Sequence, residues 1–130
     1  QNRIEKLPFM DWRQLPAVIA GLDINLMPLE NSLFHWCKSE NKWTEAALVK
    51  VPSVMSRNCE MEYVVENGKD GWMCTTKEEW VNALEALVTD EKARKAMGEA
   101  AHQKVMEHYL TVNTGKDAME ELLCSESYTK

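Results

Sequence analysis

One polar segment of the chain carries residue types that suit the binding of a diphosphate. It reads KSENKWTEAALVK from residue 38 to residue 50 and predicts a helix that starts near Ser39. The first backbone N–H groups of a helix lack intrahelical partners and carry partial positive charge, so they attract anions. Lys38 and Lys42 share one helical face, which is mildly unfavourable without an anion between them. We therefore expect a diphosphate to contact the helix start, which comprises Lys38, Ser39, Glu40 and Asn41.

Glu45 lies further along the same predicted helix. A carboxylate accepts two hydrogen bonds at once, so Glu45 can hold the two hydroxyl groups of a ribose beside the diphosphate. A simpler interpretation also fits the spacing: Ser39 only caps the helix, Glu40 only favours its first turn, and Lys42 and Glu45 form a weak surface pair. The spacing alone leaves both interpretations open.

The loop before this helix offers further candidates. His35 could contact a phosphate or a sugar. Trp36 could stack on a base or a sugar, although a tryptophan at such spacing more commonly belongs to the core. Cys37 lacks the paired histidine and carboxylate that would make its thiol a nucleophile. We keep His35 and Cys37 as candidate substrate contacts.

The hydrophobic pattern around these residues alternates between strands and helices. Residues 3–9 predict a short strand, and Asp11 is expected to cap a helix that ends near Gly21. Residues 23–29 form an apolar run typical of a strand buried on both faces. An irregular loop precedes the helix expected over residues 39–49, and residues 51–55 predict the next strand.

The second half of the chain continues the alternation. A short helix is expected over residues 58–65, followed by a glycine-containing turn and a strand at residues 72–74. Thr76 and Glu79 predict a capping box at the start of the next helix. Asp90 is expected to cap another helix, which reaches residue 109.

This alternation fixes the expected fold class. Strands that alternate with helices over a whole domain predict a parallel sheet with right-handed crossovers, so we expect a doubly wound, Rossmann-like α/β fold. We assign residues 1–110 to this domain and residues 111–130 to a C-terminal amphipathic helix with the polar tail SESYTK. Ligands of such sheets bind outside the carboxyl ends of the strands, which points to residues 30–41 and 56–60.

The composition argues against several classes of function. A net charge of −6 without a basic run argues against a nucleic-acid partner. No apolar stretch approaches the roughly 20 residues of a membrane helix, and no signal-peptide pattern is present, so we expect a soluble, cytoplasmic protein. The four cysteines show no zinc or disulfide spacing, which indicates reduced thiols. A GxGxxG turn is absent, so we expect no nicotinamide or flavin cofactor, and nothing in the sequence requires a metal.

A series of motifs follows one order along residues 1–110. They are Leu26-Met27-Pro28-Leu29, Lys38-Ser39, Lys42, Glu45-Ala46-Ala47, Val51-Pro52-Ser53-Val54, Val65-Glu66-Asn67-Gly68, Gly71, Leu87, Asp90 and Arg94. Their order and spacing resemble the C-terminal nucleotide-sugar domain of GT-B glycosyltransferases of the group 1 (family 4) type. The resemblance implies a partial C-terminal domain of a GT-B fold.

The resemblance also implies roles for single residues. In that family the second glutamate of an E-x7-E signature holds the nucleotide ribose, and Glu45 occupies its position. The helix start before it meets the diphosphate. The first glutamate is associated with the transferred sugar, and Cys37 stands at its position. The chain is similar to a subgroup in which a KSxxK pattern replaces that glutamate and the usual glycines. The catalytic residues stay unassigned.

The implied function is that of a glycosyltransferase that passes a sugar from a nucleotide-diphosphate donor to a glycan or lipid-linked acceptor. The family catalyses this transfer in a cleft between two Rossmann-like domains, so the missing N-terminal GT-B domain would be a partner. The chain starts at Gln1, and we expect a piece of a longer protein that binds nucleotide weakly and does not turn over sugar alone. An exposed sheet edge would favour a homodimer.

Three alternatives stay open. A sugar-nucleotide epimerase could use the same architecture and would need no acceptor. A non-catalytic nucleotide-sugar-binding or interaction module is a second alternative, for which Cys37 is the best support. An unrelated doubly wound domain, such as a receiver-like fold, is the third, but the first strand does not end in an acidic cluster.

Overall fold

The fold is a three-layer arrangement of helices around a small parallel sheet. The computed structural model describes residues 3–125, with side chains described for residues 3–116 and 118–121. In this part of the chain the sheet has three parallel strands in the order β1 (Asn25–Met27), β2 (Ser53–Ser56) and β3 (Trp72–Cys74). The helices are α1 (Leu15–Ala20), α2 (Leu33–Trp36), α3 (Asn41–Leu48), α4 (Cys59–Val64), α5 (Lys77–Thr89), α6 (Glu91–His108) and α7 (Thr111–Ser125).

One face of the sheet is a row of methionines. Met27, Met55 and Met73 are register partners across the three strands, and each is buried. Side chains of α3 and α6 also belong to this cluster, among them the fully buried Trp43. Because successive strand residues point to opposite faces, Val54 lies on the other side of the sheet.

The opposite face packs against α5. Val54 and Cys74 form a second cluster there with Ala83 and Leu87 of that helix. Helices therefore cover both faces of a parallel sheet, which confirms the expected α/β class.

Several element boundaries follow the capping signals of the sequence. Asp11 accepts a hydrogen bond from the Arg13 N–H (2.9 Å) at a 3-10 turn, Trp12–Gln14, that leads into α1. Thr76 and Glu79 form the predicted capping box of α5. Asp90 caps α6 by accepting from two backbone N–H groups. Short polar side chains at these positions satisfy the otherwise unpaired N–H groups of the helix start.

Other expectations were wrong in detail. Residues 3–9 form no strand and are exposed. The loop after β1 contains α2, and α3 starts at Asn41 rather than at Ser39. β1 is not buried on both faces, because Leu26 is 50% exposed at the edge of the sheet. β1 is an edge strand, because among residues 3–125 no strand pairs with its outer side.

Two expectations stay predictions. The division into residues 1–110 and 111–130 is one; α7 follows α6 directly, and residues 126–130 of the tail lie outside the described part of the chain. The soluble, cytoplasmic location is the other. Among the described residues, no helix combines the length and the hydropathy needed to span a bilayer.

Candidate functional site

A polar cavity of about 270 Å³ opens at the carboxyl ends of all three strands. We call it the C-edge cavity. Its lining residues come from the segments that follow β1 and β2 and from the end of β3. They are Leu29, Glu30, Asn31, His35, Trp36, Ser56, Arg57, Asn58, Cys74 and Thr75. This is the position at which doubly wound sheets bind ligands.

Hydrogen bonds hold the walls of the cavity together. Leu29 donates its N–H to Ser56 Oγ (2.8 Å), and the Ser56 hydroxyl donates to the Leu29 carbonyl (3.1 Å). Asn58 caps α4 by accepting from the Met61 N–H (2.8 Å), and its Nδ2 donates to the His35 carbonyl (3.5 Å). The loop after β1 is thus tied to β2 and to the start of α4.

The same loop orients two of the candidate side chains. His35 Nδ1 lies 2.7 Å from the hydroxyl of Ser32, the residue that caps α2. Trp36 Nε1 donates to Asn31 Oδ1 (2.8 Å), and the residue is 47% exposed. Both rings are therefore held at the cavity wall. A half-exposed indole there can still offer a ring face to a sugar or a base.

Charged groups of both signs surround the cavity. Glu30 lines one part of it, and Arg57 lines another, where its guanidinium pairs with Glu62 (3.1 Å). Glu79 accepts from the N–H groups of Thr75 (2.6 Å) and Thr76 (3.0 Å). These backbone hydrogen bonds lower the pKa of Glu79, so its carboxylate stays charged near neutral pH.

Cys74 is the one cysteine among the described residues that line the C-edge cavity. The residue is 2% exposed, and this burial, followed by the charge of Glu79, raises the pKa of the Cys74 thiol. A thiol with a raised pKa is a poor nucleophile at neutral pH. Cys37 and Cys59 are free cysteines with exposed side chains.

The start of α3 lies outside the lining of the C-edge cavity. Among the described residues, Lys38, Ser39, Glu40 and Asn41 line neither this cavity nor the groove described next. Glu40 is the N-cap residue of α3 but makes no side-chain capping bond, so the helix start is not closed by a side chain. Lys38 is exposed, and its ammonium group lies 4.3 Å from the centre of the Phe34 ring.

Glu45 lies in a separate, mostly apolar groove between α1 and α3. We call it the α1–α3 groove; its volume is about 280 Å³. The residues that line it are Trp12, Leu15, Pro16, Ile19, Glu45, Leu48 and Val49. Glu45 is the one charged residue in this lining, and Trp12 is 72% exposed. A carboxylate beside an indole can combine hydrogen bonding with stacking.

The described structure thus divides the predicted site residues into three groups. His35 lines the C-edge cavity, Glu45 lines the α1–α3 groove, and residues 38–41 lead into α3. Cys37 is exposed at the C-cap of α2, directly after the cavity-lining Trp36. No ion pair joins Lys42 to Glu45 among the described side chains, and the cap of α3 is Glu40 rather than Ser39.

Sequence reasoning did not single out most of the residues with polar or titratable side chains that line the cavity. They are Glu30, Asn31, Ser56, Arg57, Asn58, Cys74 and Thr75. The first five fall in the segments that the strand-end rule indicated, so the signal was their place at or after the ends of β1 and β2. Among residues whose side chains the structure describes, no three His, Cys, Asp or Glu side chains gather as a metal site would require.

A family model described as Glycosyl transferase-like (Glyco_trans_1_2) matches residues 1–120. The chain belongs to this glycosyl transferase-like family. A match over almost the whole chain agrees with the resemblance seen in the motif order. No curated protein matches the chain.

A solved structure has the same fold as this member of the glycosyl transferase-like family. It is the 1.35 Å crystal structure of the C-terminal domain of a glycosyl transferase group 1 family protein, LpcC, from Francisella tularensis. The TM-score is 0.60 at 18% sequence identity, and the alignment covers 79% of the present chain. It covers 52% of the LpcC domain, so the chain spans about half the length of that domain.

Proposed function

We propose that this chain is the donor-binding part of a glycosyltransferase. The enzyme would pass a sugar from a nucleotide-diphosphate donor to a glycan or lipid-linked acceptor. The observation that carries the proposal is the polar cavity at the carboxyl ends of all three parallel strands, in a chain of the glycosyl transferase-like family. Its lining combines a guanidinium, a carboxylate and an imidazole, which suit a ligand with both phosphate and hydroxyl groups.

The α1–α3 groove supports a place for the nucleoside. Its apolar lining suits the face of a base, and Trp12 offers an exposed indole for stacking. Glu45 is the carboxylate that would accept hydrogen bonds from the ribose hydroxyl groups. Glu45 is an exposed residue, so its carboxylate is accessible to such a ligand.

The diphosphate would contact the start of α3 and Lys38. The uncapped N–H groups of this helix and the exposed ammonium group are donors for anionic oxygens. In catalysis these groups would position the donor and stabilise the charge of the departing nucleotide diphosphate. His35 and Cys37 would lie toward the transferred sugar.

The rest of the enzyme would supply the other side of the site. The present chain spans about half of the LpcC domain, and we propose that an N-terminal GT-B domain closes the cleft and brings the acceptor. The isolated chain is then expected to bind nucleotide weakly and to transfer no sugar by itself.

Calorimetric titration of the chain with UDP and with GDP tests the proposal. Because each residue makes a charge-assisted hydrogen bond, Glu45→Ala and Lys38→Ala should each lower the affinity for the bound nucleotide about tenfold or more. Matched controls are Glu85→Ala on α5 and Lys92→Ala on α6, which remove the same charges outside both cavities.

The controls should bind as the unaltered chain does. Unchanged affinity in Glu45→Ala or Lys38→Ala would remove that residue from the site. An unaltered chain that binds neither nucleotide would contradict the proposed function as a whole.

A non-catalytic nucleotide-sugar-binding module is the second candidate. The observation that favours it is the exposed thiol of Cys37, which cannot act as a carboxylate toward a sugar. Transfer assays on the complete protein with a panel of acceptors separate the two candidates. Nucleotide binding without transfer to any acceptor would favour the module, and sugar conversion without an acceptor would favour an epimerase.

A further inference from the structure

Arg57 is the permanent cation of the C-edge cavity. Of the described residues that line the cavity, it is the single lysine or arginine. Its backbone position is fixed by the sheet, because the Arg57 N–H donates to the Cys74 carbonyl (3.0 Å) at the ends of β2 and β3. Arg57 also lines a second hollow beside α5, so the residue borders two openings.

The guanidinium forms an ion pair with Glu62, a residue that does not line the cavity. Arg57 Nη1 donates to Glu62 Oε1 at 3.1 Å, and Glu62 belongs to α4. The two side chains are 38% and 53% exposed. An ion pair at this exposure is screened by water and contributes little to stability. A more highly charged ligand can therefore replace Glu62 at small cost.

Another carboxylate near Arg57, that of Glu79, already has two backbone hydrogen-bond partners. Glu79 accepts the backbone N–H groups of Thr75 and Thr76, which hold it at the start of α5. Arg57 is close enough to help lower the pKa of Glu79, after those two hydrogen bonds. Glu62 has no such backbone partner among the described residues. It is therefore the carboxylate that competes for the guanidinium.

We propose that Arg57 binds a phosphoryl group of the nucleotide donor in the C-edge cavity and that Glu62 is an internal competitor for the same guanidinium. This inference rests on the proposed function and adds to it a cation that the start of α3 does not supply. Guanidinium groups bind phosphate through two parallel hydrogen bonds, whereas the contact to Glu62 uses one nitrogen. Glu62 would thus lower the affinity of the empty site for its donor.

The test is calorimetry on the full chain with UDP, GDP and inorganic pyrophosphate. Arg57→Gln should weaken binding of pyrophosphate and of the preferred nucleotide about tenfold or more, as the loss of a charge-assisted bond requires. Glu62→Gln should strengthen both about two- to fivefold, as expected when a weak exposed pair is removed. Binding of uridine or guanosine should not change in either variant. Arg13→Gln, which breaks an exposed pair with Asp11, is the control.

Each outcome separates this inference from the proposed function. Nucleotide binding that neither variant alters overturns the role of Arg57 and leaves the donor site at the start of α3. A Glu62→Gln effect on uridine or guanosine as large as that on pyrophosphate overturns the competition for phosphate. Arg57-dependent pyrophosphate binding without binding of UDP or GDP supports the phosphoryl site and contradicts the proposed nucleotide donor. Binding of none of the probes contradicts both proposals.

Discussion

Asp70 joins three parts of the molecule through one buried residue. It is 2% exposed and lies in the turn before β3. Its Oδ1 accepts the Glu66 N–H (2.8 Å), and its Oδ2 accepts from Lys104 Nζ (2.6 Å) on α6. Its carbonyl accepts from the indole of Trp43 on α3 (2.9 Å). A buried carboxylate with this many partners fixes the turn against both helices of the methionine face.

Asp70→Asn should destabilise the fold. The amide cannot accept from Glu66 and at the same time satisfy the ammonium of Lys104, since its nitrogen is a donor. We expect a loss of about 1–3 kcal/mol in the free energy of unfolding, limited because Lys104 is 29% exposed and can turn to water. Urea unfolding at neutral pH measures it.

The control for Asp70 is the exposed pair in the same turn. Glu66→Gln breaks the contact of Glu66 with Lys69 (2.7 Å), in which both side chains are more than half exposed. It should leave the urea midpoint nearly unchanged. An Asp70→Asn variant as stable as Glu66→Gln would show that the buried ion pair is not needed for the fold.

Helix α6 lies unusually close to the end of α3. A Cβ atom added at Gly98 would lie 2.1 Å from the carbonyl oxygen of Lys50. Lys50 follows the C-cap of α3 with φ of 63°, and the hydrogen bonds of Lys50 N to Ala47 O and of Val51 N to Ala46 O form a Schellman motif. The reversal of the chain after α3 therefore leaves room on α6 for glycine alone.

Gly98→Ala should push the two helices apart. Because the obstacle is backbone rather than a movable side chain, we expect a loss of about 2–3 kcal/mol in the free energy of unfolding. Gly115→Ala in α7 is the matched control, since its added Cβ would meet no atom within 4 Å. Alanine favours a helix interior, so the control should be neutral or slightly stabilising. Equal melting temperatures of the two variants would contradict the close approach.

Elements with local signals could be predicted from the sequence. The capping box of Thr76, the cap at Asp90 and the strand at residues 72–74 each depend on neighbouring residues, and each was found. The strand predicted at residues 3–9 is absent, because a strand depends on a partner strand that the local sequence does not reveal. The start of α3 shifted by two residues, which is ordinary for a helix without a side-chain cap.

The candidate site was predicted as a region and not as a set of contacts. The strand-end rule located His35 and the segment around Arg57. Which residues face the same cavity depends on how loops pack in three dimensions. Sequence spacing brought Glu45 next to residues 38–41, whereas the fold turns Glu45 toward α1. Periodicity along one helix does not reveal which neighbouring helix it faces.

At the scale of the whole molecule, the sheet has one open side. β1 pairs with β2 alone in the described part of the chain, and Asn25 donates its N–H to Pro52 across that pairing (2.9 Å). Successive N–H groups of a strand point in opposite directions, so the N–H of Leu26 faces the open side. Unpaired strand edges recruit strands from other chains.

Leu26→Pro should abolish self-association through this edge. Proline removes the outward N–H and leaves the bonds to β2 intact, as edge strands tolerate. Leu26→Ala is the control, because it shortens the side chain and keeps the N–H. In sedimentation velocity at high protein concentration, we expect the unaltered chain and Leu26→Ala to form a dimer and Leu26→Pro to stay monomeric. An unaltered chain that remains monomeric would contradict the expected homodimer.

Oxidation of the row of methionines under α3 and α6 requires that the fold opens. Met27, Met55 and Met73 are 4%, 0% and 5% exposed, whereas Met119 is 60% exposed. An oxidant can reach the surface sulfur at any time but reaches the row only when the helices leave the sheet. A sulfoxide is polar and chiral, so it would no longer fit between those layers. Once oxidised while open, the molecule could not close again until a reductase restored the thioethers.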